Sequence, residues 1–213
     1  MQTWSMTHPR SPRWPGALLV ALGLLGAYLR FLRPWQQRWG ATDEEVRRVL
    51  PGDEAVRRPS FMATRAVTVH APPGAVWPWI AQLGSGRAGW YSLDWIDNAG
   101  VPSARVILPQ HQAVAVGDFV PFTPDGRQGM WVTAAKPHHF LLWRDREGAA
   151  TWLWWLEPDG SGGTRLLTRL RTRYPWGSPW MAYYLLYDVG DIVMMRRCLL
   201  GLKARAEEQG GRP

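Results

Sequence analysis

Trp90, Tyr91 and Trp95, with Asp94 between them, make the densest aromatic–acid cluster of the sequence. Ring faces can wall an apolar molecule, and one carboxylate can orient it or take a proton from it. The same residues can equally form an aromatic core plug, with Asp94 or Asp97 capping the next turn. His111, in the polar stretch Pro109-Gln110-His111-Gln112, is a further acid/base candidate, since loops often carry function. Asp94, Tyr91 and His111 are therefore the candidate catalytic groups.

Other chemistries find little to work with. His138 and His139 are adjacent, and on a strand they point to opposite faces and cannot grip one ion. No metal site is expected, and no cofactor. The sequence has no GxSxG elbow, no cysteine–histidine motif and no paired-carboxylate signature. Gly84-Ser85-Gly86 lacks the lysine and helix context of a phosphate loop. The single cysteine, Cys198, rules out an intramolecular disulfide and a cysteine-rich zinc site. On the apolar side of the last helix it reads as an inert core thiol.

Several elements must position the cluster. Thr64, Ala66 and Thr68 alternate with Arg65, Val67 and Val69, as in a half-buried strand. Pro72-Pro73 end that strand and suit the first turn of a helix carrying Val76, Trp77, Ile80 and Leu83. Pro78 is expected to kink this helix or divide it in two. Strand-like runs follow at Arg105–Leu108, Val114–Pro121, Met130–Ala135 and Phe140–Trp143. Pro158-Asp159-Gly160-Ser161-Gly162-Gly163 predicts a hairpin between Thr151–Glu157 and Thr164–Arg173. Ile192, Met195, Leu199, Leu202 and Ala206 form one apolar stripe on a long closing helix. The order implies an α+β domain, its antiparallel sheet covered by the last helix.

Register in the hairpin stays open. Arg165, Arg169, Arg171 and Arg173 share one face, with Leu166, Thr168 and Leu170 on the other. The simple reading buries the leucines and solvates the arginines. Trp152 and Trp154 share a face of the partner strand. A shift of one residue decides whether they back the leucines or stack on the arginines.

Fifteen tryptophans in 213 residues exceed what packing needs and point to a ligand pocket, a membrane interface or both. Trp14–Leu29 carries no charge, and Phe31-Leu32 extend the run past Arg30. A spanning helix needs about 20 apolar residues, so the stretch is marginal in length. Trp14, Tyr28, Trp35 and Trp39 stand where interface aromatics belong, and Arg30 and Arg33 can snorkel. A signal peptide fits poorly, because Ala27-Tyr28-Leu29-Arg30 is a weak cleavage site. A membrane anchor is expected over either a signal peptide or a packed soluble helix. More arginines follow the run than precede it, which favours a cytoplasmic C-terminal domain without fixing the orientation of the segment or whether it spans. The net charge of +8 could also suggest nucleic acid, but the arginines form no recognisable motif and none is expected to bind. Thr42 and Glu45 fit a capping box in a connector that Pro51-Gly52 ends. The expected organisation is an N-terminal segment, 1–39, with its helix at about 14–32, a connector at 40–60, a domain at 61–208 and a tail at 209–213.

APPGAVWPWI, GWYSLDWIDN, AVGDFVP, the TWLWWLEPDGSGGTRLLTRLR hairpin and the final MMRRCLLGLKARAE helix resemble the SRPBCC superfamily. This is the START-like, polyketide cyclase/dehydrase and lipid-transport group, and the likeness spans roughly Thr42 to Glu208. It implies a helix-grip fold, a curved antiparallel sheet wrapped around the C-terminal helix with a hydrophobic cavity between them. Trp77, Trp90, Tyr91, Trp95, Trp131, Trp154, Met195 and Leu199 are then the expected ligand-binding residues. The function implied is a membrane-associated binding or transport protein for a lipid, quinone or polyketide-like molecule. The alternative is a cyclase or hydrolase acting in the same cavity. Fold alone does not choose, and the sequence does not specify an oligomeric state.

Overall fold

Strands β1 (Phe61–Val69), β2 (Phe119–Pro121), β3 (Gly129–Lys136), β4 (Phe140–Arg144), β5 (Ala150–Pro158) and β6 (Thr164–Thr172) form one antiparallel sheet, ordered β1-β6-β5-β4-β3-β2. They belong to a computed structural model that describes residues 14–174 and 181–210. Contacts divide the chain into two units, with the boundary between Trp35 and Gln36.

In the first unit, α1 (Trp14–Ala27) runs through a π-helical turn, Tyr28–Leu32, into α2 (Arg33–Gln37). Pro34 has no N–H for the Arg30 carbonyl, a local cause for irregular winding just before it. Gly16–Gln37, 22 residues, is long and apolar enough to cross a membrane. Leu18, Leu19, Val20 and Leu24 are all exposed.

In the second unit, the sheet curves with its concave side toward α6 (Met181–Gly210), and a register irregularity between Val132 and Ala134 in β3 supplies a bend. The stripe expected on α6 is buried there, from Ile192 to Ala206. α4 (Pro73–Ala81) packs beside it and buries Val76, Trp77, Trp79 and Ile80. Pro78 does not divide α4: only one intrahelical hydrogen bond is lost in nine residues whose apolar side is fully packed.

The hairpin register is settled. Trp152 pairs with Leu170, Trp154 with Thr168 and Leu156 with Leu166, so tryptophans and leucines share the concave core. Asp159 fixes the turn by accepting from the amides of Ser161 and Gly163 at 2.8 and 2.9 Å.

The arginine face is not solvated. The connector, with α3 (Asp43–Arg47) closed by its Thr42–Glu45 capping box, lies across it. Arg169 is 2% exposed and donates to the carbonyls of Glu45, Val46 and Arg48, to Asp53 Oδ2 at 2.7 Å and to Thr64 Oγ1. Those carbonyls are the acceptors that a helix C-terminus leaves unpaired, and one guanidinium satisfies them together. Arg165 bridges to Glu45 and the Gly40 carbonyl, and Arg171 to the Val56 carbonyl. Leu50, Ala66, Leu142, Leu153 and Leu167 make a small second core under the connector. Much of the basic composition is thus engaged internally.

Two of the expected strands are absent or shortened. At Arg105–Leu108 the backbone is met by one side chain: Gln82 donates to the Val106 carbonyl and accepts from the Leu108 amide. Of Val114–Pro121 only Phe119–Pro121 form strand; Gly117 and Asp118 still exchange backbone hydrogen bonds with Val132, and Asp118 closes a turn on the Ala115 amide.

Candidate ligand cavity

A cavity of about 340 Å³ opens between the concave sheet and the N-terminal half of α6. Its apolar wall is formed by Trp90, Phe122, Trp152, Met194 and Met195, and its polar groups are Ser92, Thr123, Gln128, Asp97 and Asp191. That volume and mixture suit a small, mostly apolar molecule held by few polar contacts. A larger groove of about 530 Å³, between residues 105–107 and the end of α6, is bordered by Arg105, Arg205, Glu208 and Gln209 and lacks an aromatic wall beyond Trp79.

The aromatic wall is rigid. Trp90 and Trp152 lie parallel with centroids 5.6 Å apart, and Phe122 meets both edge-on at 5.4 and 5.5 Å. Trp143 and Trp154, fully buried, back Trp152 at 5.3 Å each. The Trp152 indole N–H donates to Thr168 Oγ1 at 2.7 Å, which fixes the ring plane.

The loop carrying Trp90 is held by its neighbour Tyr91, at φ 55°. For a tyrosine that is an uncommon conformation, kept only where surroundings over-determine it. Here the Tyr91 amide donates to Ser103 Oγ, its hydroxyl donates to the Trp79 carbonyl and accepts from Gln82, and Arg205 stands 4.5 Å over the ring. On α6, Gly201 makes room, since a Cβ there would lie 2.3 Å from the Tyr91 carbonyl oxygen.

None of the three catalytic candidates lines the cavity. Tyr91 is committed as described, and burial holds its phenol far above its ordinary value, so it is no base. Asp94 accepts from the hydroxyl and amide of Ser103 at 2.5 and 3.0 Å, a loop-fixing role. His111 sits on a 3-10 turn, Pro109–His111, away from the cavity.

Of the expected ligand-binding residues, Trp90 and Met195 line the cavity, while Trp154 and Leu199 lie in the core behind it. Trp77 is also core, stacked near His138 at 6.2 Å. The structure moves two tryptophans out. Trp95 is 73% exposed, because the one-turn helix α5 (Asp94–Asp97) turns its Asp97 side inward instead. Trp131 falls on the other face of β3 from the buried Val132, beside Phe119 at 4.8 Å.

Asp97, which the sequence suggests only as a turn cap, is a carboxyl of the cavity lining. It is 8% exposed, and neither oxygen has a hydrogen-bond partner. Burial raises its carboxyl to about 6; the Ser92 hydroxyl, committed to the Met194 carbonyl at 3.0 Å, opposes this only in part, and the Asp94 charge adds to it. The folded state thus binds this proton more tightly than the unfolded chain, where an aspartate titrates near 4. Asp97 contributes stability fully below about pH 4 and loses it as pH rises through about 6. Asp97→Asn should therefore stabilise the ligand-free protein by on the order of 2 kcal/mol at pH 7.5 and by little at pH 3.5. Urea unfolding at the two pH values measures this; an equal gain at both would refute it.

The element order, with a curved antiparallel sheet closed by a long C-terminal helix over an interior cavity, is an α+β fold of the helix-grip kind. No family model matches the chain, and no curated protein does. Among solved structures it is similar to a polyketide-cyclase-like protein of Corynebacterium glutamicum (16% identity, 70% of this chain and 92% of that one, TM-score 0.37). A conserved protein of unknown function from Enterococcus faecalis is similar at 13% identity, over 76% and 84% of the two chains, with TM-score 0.42. The Aha1 dimer from Colwellia psychrerythraea matches at 15% identity, over 71% and 99%, with TM-score 0.41.

Proposed function

We propose that this is a membrane-associated binding or transport protein that carries a small hydrophobic molecule in the helix-grip cavity. The observation behind the proposal is the wall of Trp90, Phe122, Trp152 and Met195 facing α6 across about 340 Å³. Apolar burial at roughly 25 cal/mol per Å² supplies the affinity, and the few polar groups set orientation. The apolar helix Gly16–Gln37 supports the membrane part of the reading. Exposed Trp95 and Ile96, on the same turn as Asp97, suit residues that work beside a lipid surface.

Gly190 gives a clean test, because it lines the cavity and a Cβ there meets open space. Full-length protein extracted in mild detergent should release a reproducible apolar molecule on native mass spectrometry. Gly190→Phe should fill the cavity and abolish that co-purification without loss of stability, since glycine is a poor helix residue. An empty wild type, or a ligand retained by Gly190→Phe, would end this reading.

A further inference from the structure

The structure assigns the cavity a ligand that carries a protonated amine, seated against the Asp97 carboxylate with its apolar body between the aromatic wall and α6. This inference rests on the ligand-binding reading above and narrows it to a chemical class.

Three observations converge. The first is the unpartnered acid: Asp97 is more than nine-tenths buried, faces the cavity and has neither oxygen hydrogen-bonded. A buried carboxyl in that condition needs a donor, and a charged donor makes the shorter and stronger bond. The second is the sign of the lining. Among the described residues it contains two carboxyls, Asp97 and Asp191, and no basic side chain. Asp191 is already matched, since Arg65, 1% exposed on β1, donates to its Oδ2 at 2.6 Å. Asp97 has no such counterion. The third is the wall itself: indole and phenyl rings beside an acid are the surroundings that favour an organic cation over a neutral or anionic molecule. An anionic head such as a fatty carboxylate would meet an acid and find no cation, which costs affinity.

The groups facing Asp97 from each side are consistent with one cation there. Asp94 lies on its own turn, and Tyr187, Asp191 and Cys198 face the cavity from α6. The Cys198 thiol is buried and burial pushes it up, so it stays neutral. Arg205, further along α6, acts on Tyr91, Asp94 and Cys198. The strand and loop side presents Trp90, Ser92, Phe122, Thr123, Gln128 and Trp152, all of them uncharged.

The experiment uses three molecules of one shape: 1-adamantylamine, 1-adamantanol and 1-adamantanecarboxylate. Each is titrated into the detergent-solubilised full chain at pH 7.5, with calorimetry and the quenching of tryptophan fluorescence as readouts. The amine should bind about ten-fold tighter than the alcohol, and the carboxylate weakest. Asp97→Asn should erase the amine's advantage while leaving alcohol binding in place. In the wild type the advantage should shrink at pH 5, below the value to which burial lifts this acid, and Asp97→Asn should show no such pH dependence. Because Asp191 also titrates upward through burial, the variant separates its contribution. Equal binding of amine and alcohol, or an amine preference that survives Asp97→Asn, would overturn the inference while leaving the cavity reading intact. No binding by any of the three would count against both.

Discussion

Asp191→Ala should lower stability by about 3–5 kcal/mol, the range for removing one partner of a buried ion pair. Asp191 and Arg65 are 8% and 1% exposed and meet at 2.6 Å. Arg65 also donates from Nε to the Gln36 carbonyl at 2.8 Å. The penalty comes from the buried guanidinium left behind, which keeps the Gln36 carbonyl but loses its counterion. Burial pushes the Asp191 carboxyl upward and Arg65 pulls it only part of the way back, so the worth of the pair lies in placement. It fixes α6 against β1 at the edge of the cavity. Asp191→Asn, which retains an acceptor, should lose less. Replacing both partners, as Arg65→Met with Asp191→Leu, should recover most of the loss. Urea denaturation of the four proteins as a double-mutant cycle gives the coupling. If Asp191→Ala costs under about 1 kcal/mol, the residue pair is not the clamp described here.

Arg169→Met should cost a similar amount, about 3–5 kcal/mol, for a different reason. The methionine fills the stem's volume but leaves the carbonyls of Glu45, Val46 and Arg48 unpaired, together with part of Asp53. Arg171, 3.2 Å from Asp53 Oδ1, compensates only for the acid. Hydrogen exchange should accelerate across residues 42–56 while the β5–β6 amides stay protected. Arg169→Lys should rescue little, since a single ammonium cannot fork to five acceptors. Arg165→Met is the internal control. Its side chain is 22% exposed, and its loss should amount to about 1 kcal/mol. Equal effects at 165 and 169 would contradict the capping role.

The legible and illegible parts of this fold divide along range. Local patterns were readable: the Thr42–Glu45 capping box, the stripe from Ile192 to Ala206 and the turn at Pro158–Gly163 depend on residues close in sequence. Period-two alternation likewise separated the faces of β5 and β6. It could not say that the arginine face would be covered. The partners of Arg169 come from a connector more than 100 residues earlier, and no short-range signal joins them. Arg105–Leu108 looked like a strand because its composition is apolar; Gln82, a single side chain, took the hydrogen bonds a neighbouring strand would have used.

The site divides in the same way. Composition pointed to a ligand pocket, a membrane interface or both, and of the residues that the family resemblance implied, Trp90 and Met195 lie on the cavity lining. A signal for more existed: Tyr187, Asp191, Met194 and Cys198 recur at spacings of three and four beside the buried stripe. Asp94 and Asp97 were not separable by sequence. They sit on one helical turn of four residues, and only the tertiary fold brings Ser103 to the first and turns the second toward the cavity. The sequence by itself determined the long helices, the β5–β6 hairpin, the excess of indole and the apolar helix at the N-terminus, because each follows from side-chain character and short-range periodicity. Only the tertiary structure decided which acid is left without a partner, because a hydrogen bond across the fold depends on where distant backbone is brought, and pattern along the chain does not encode that.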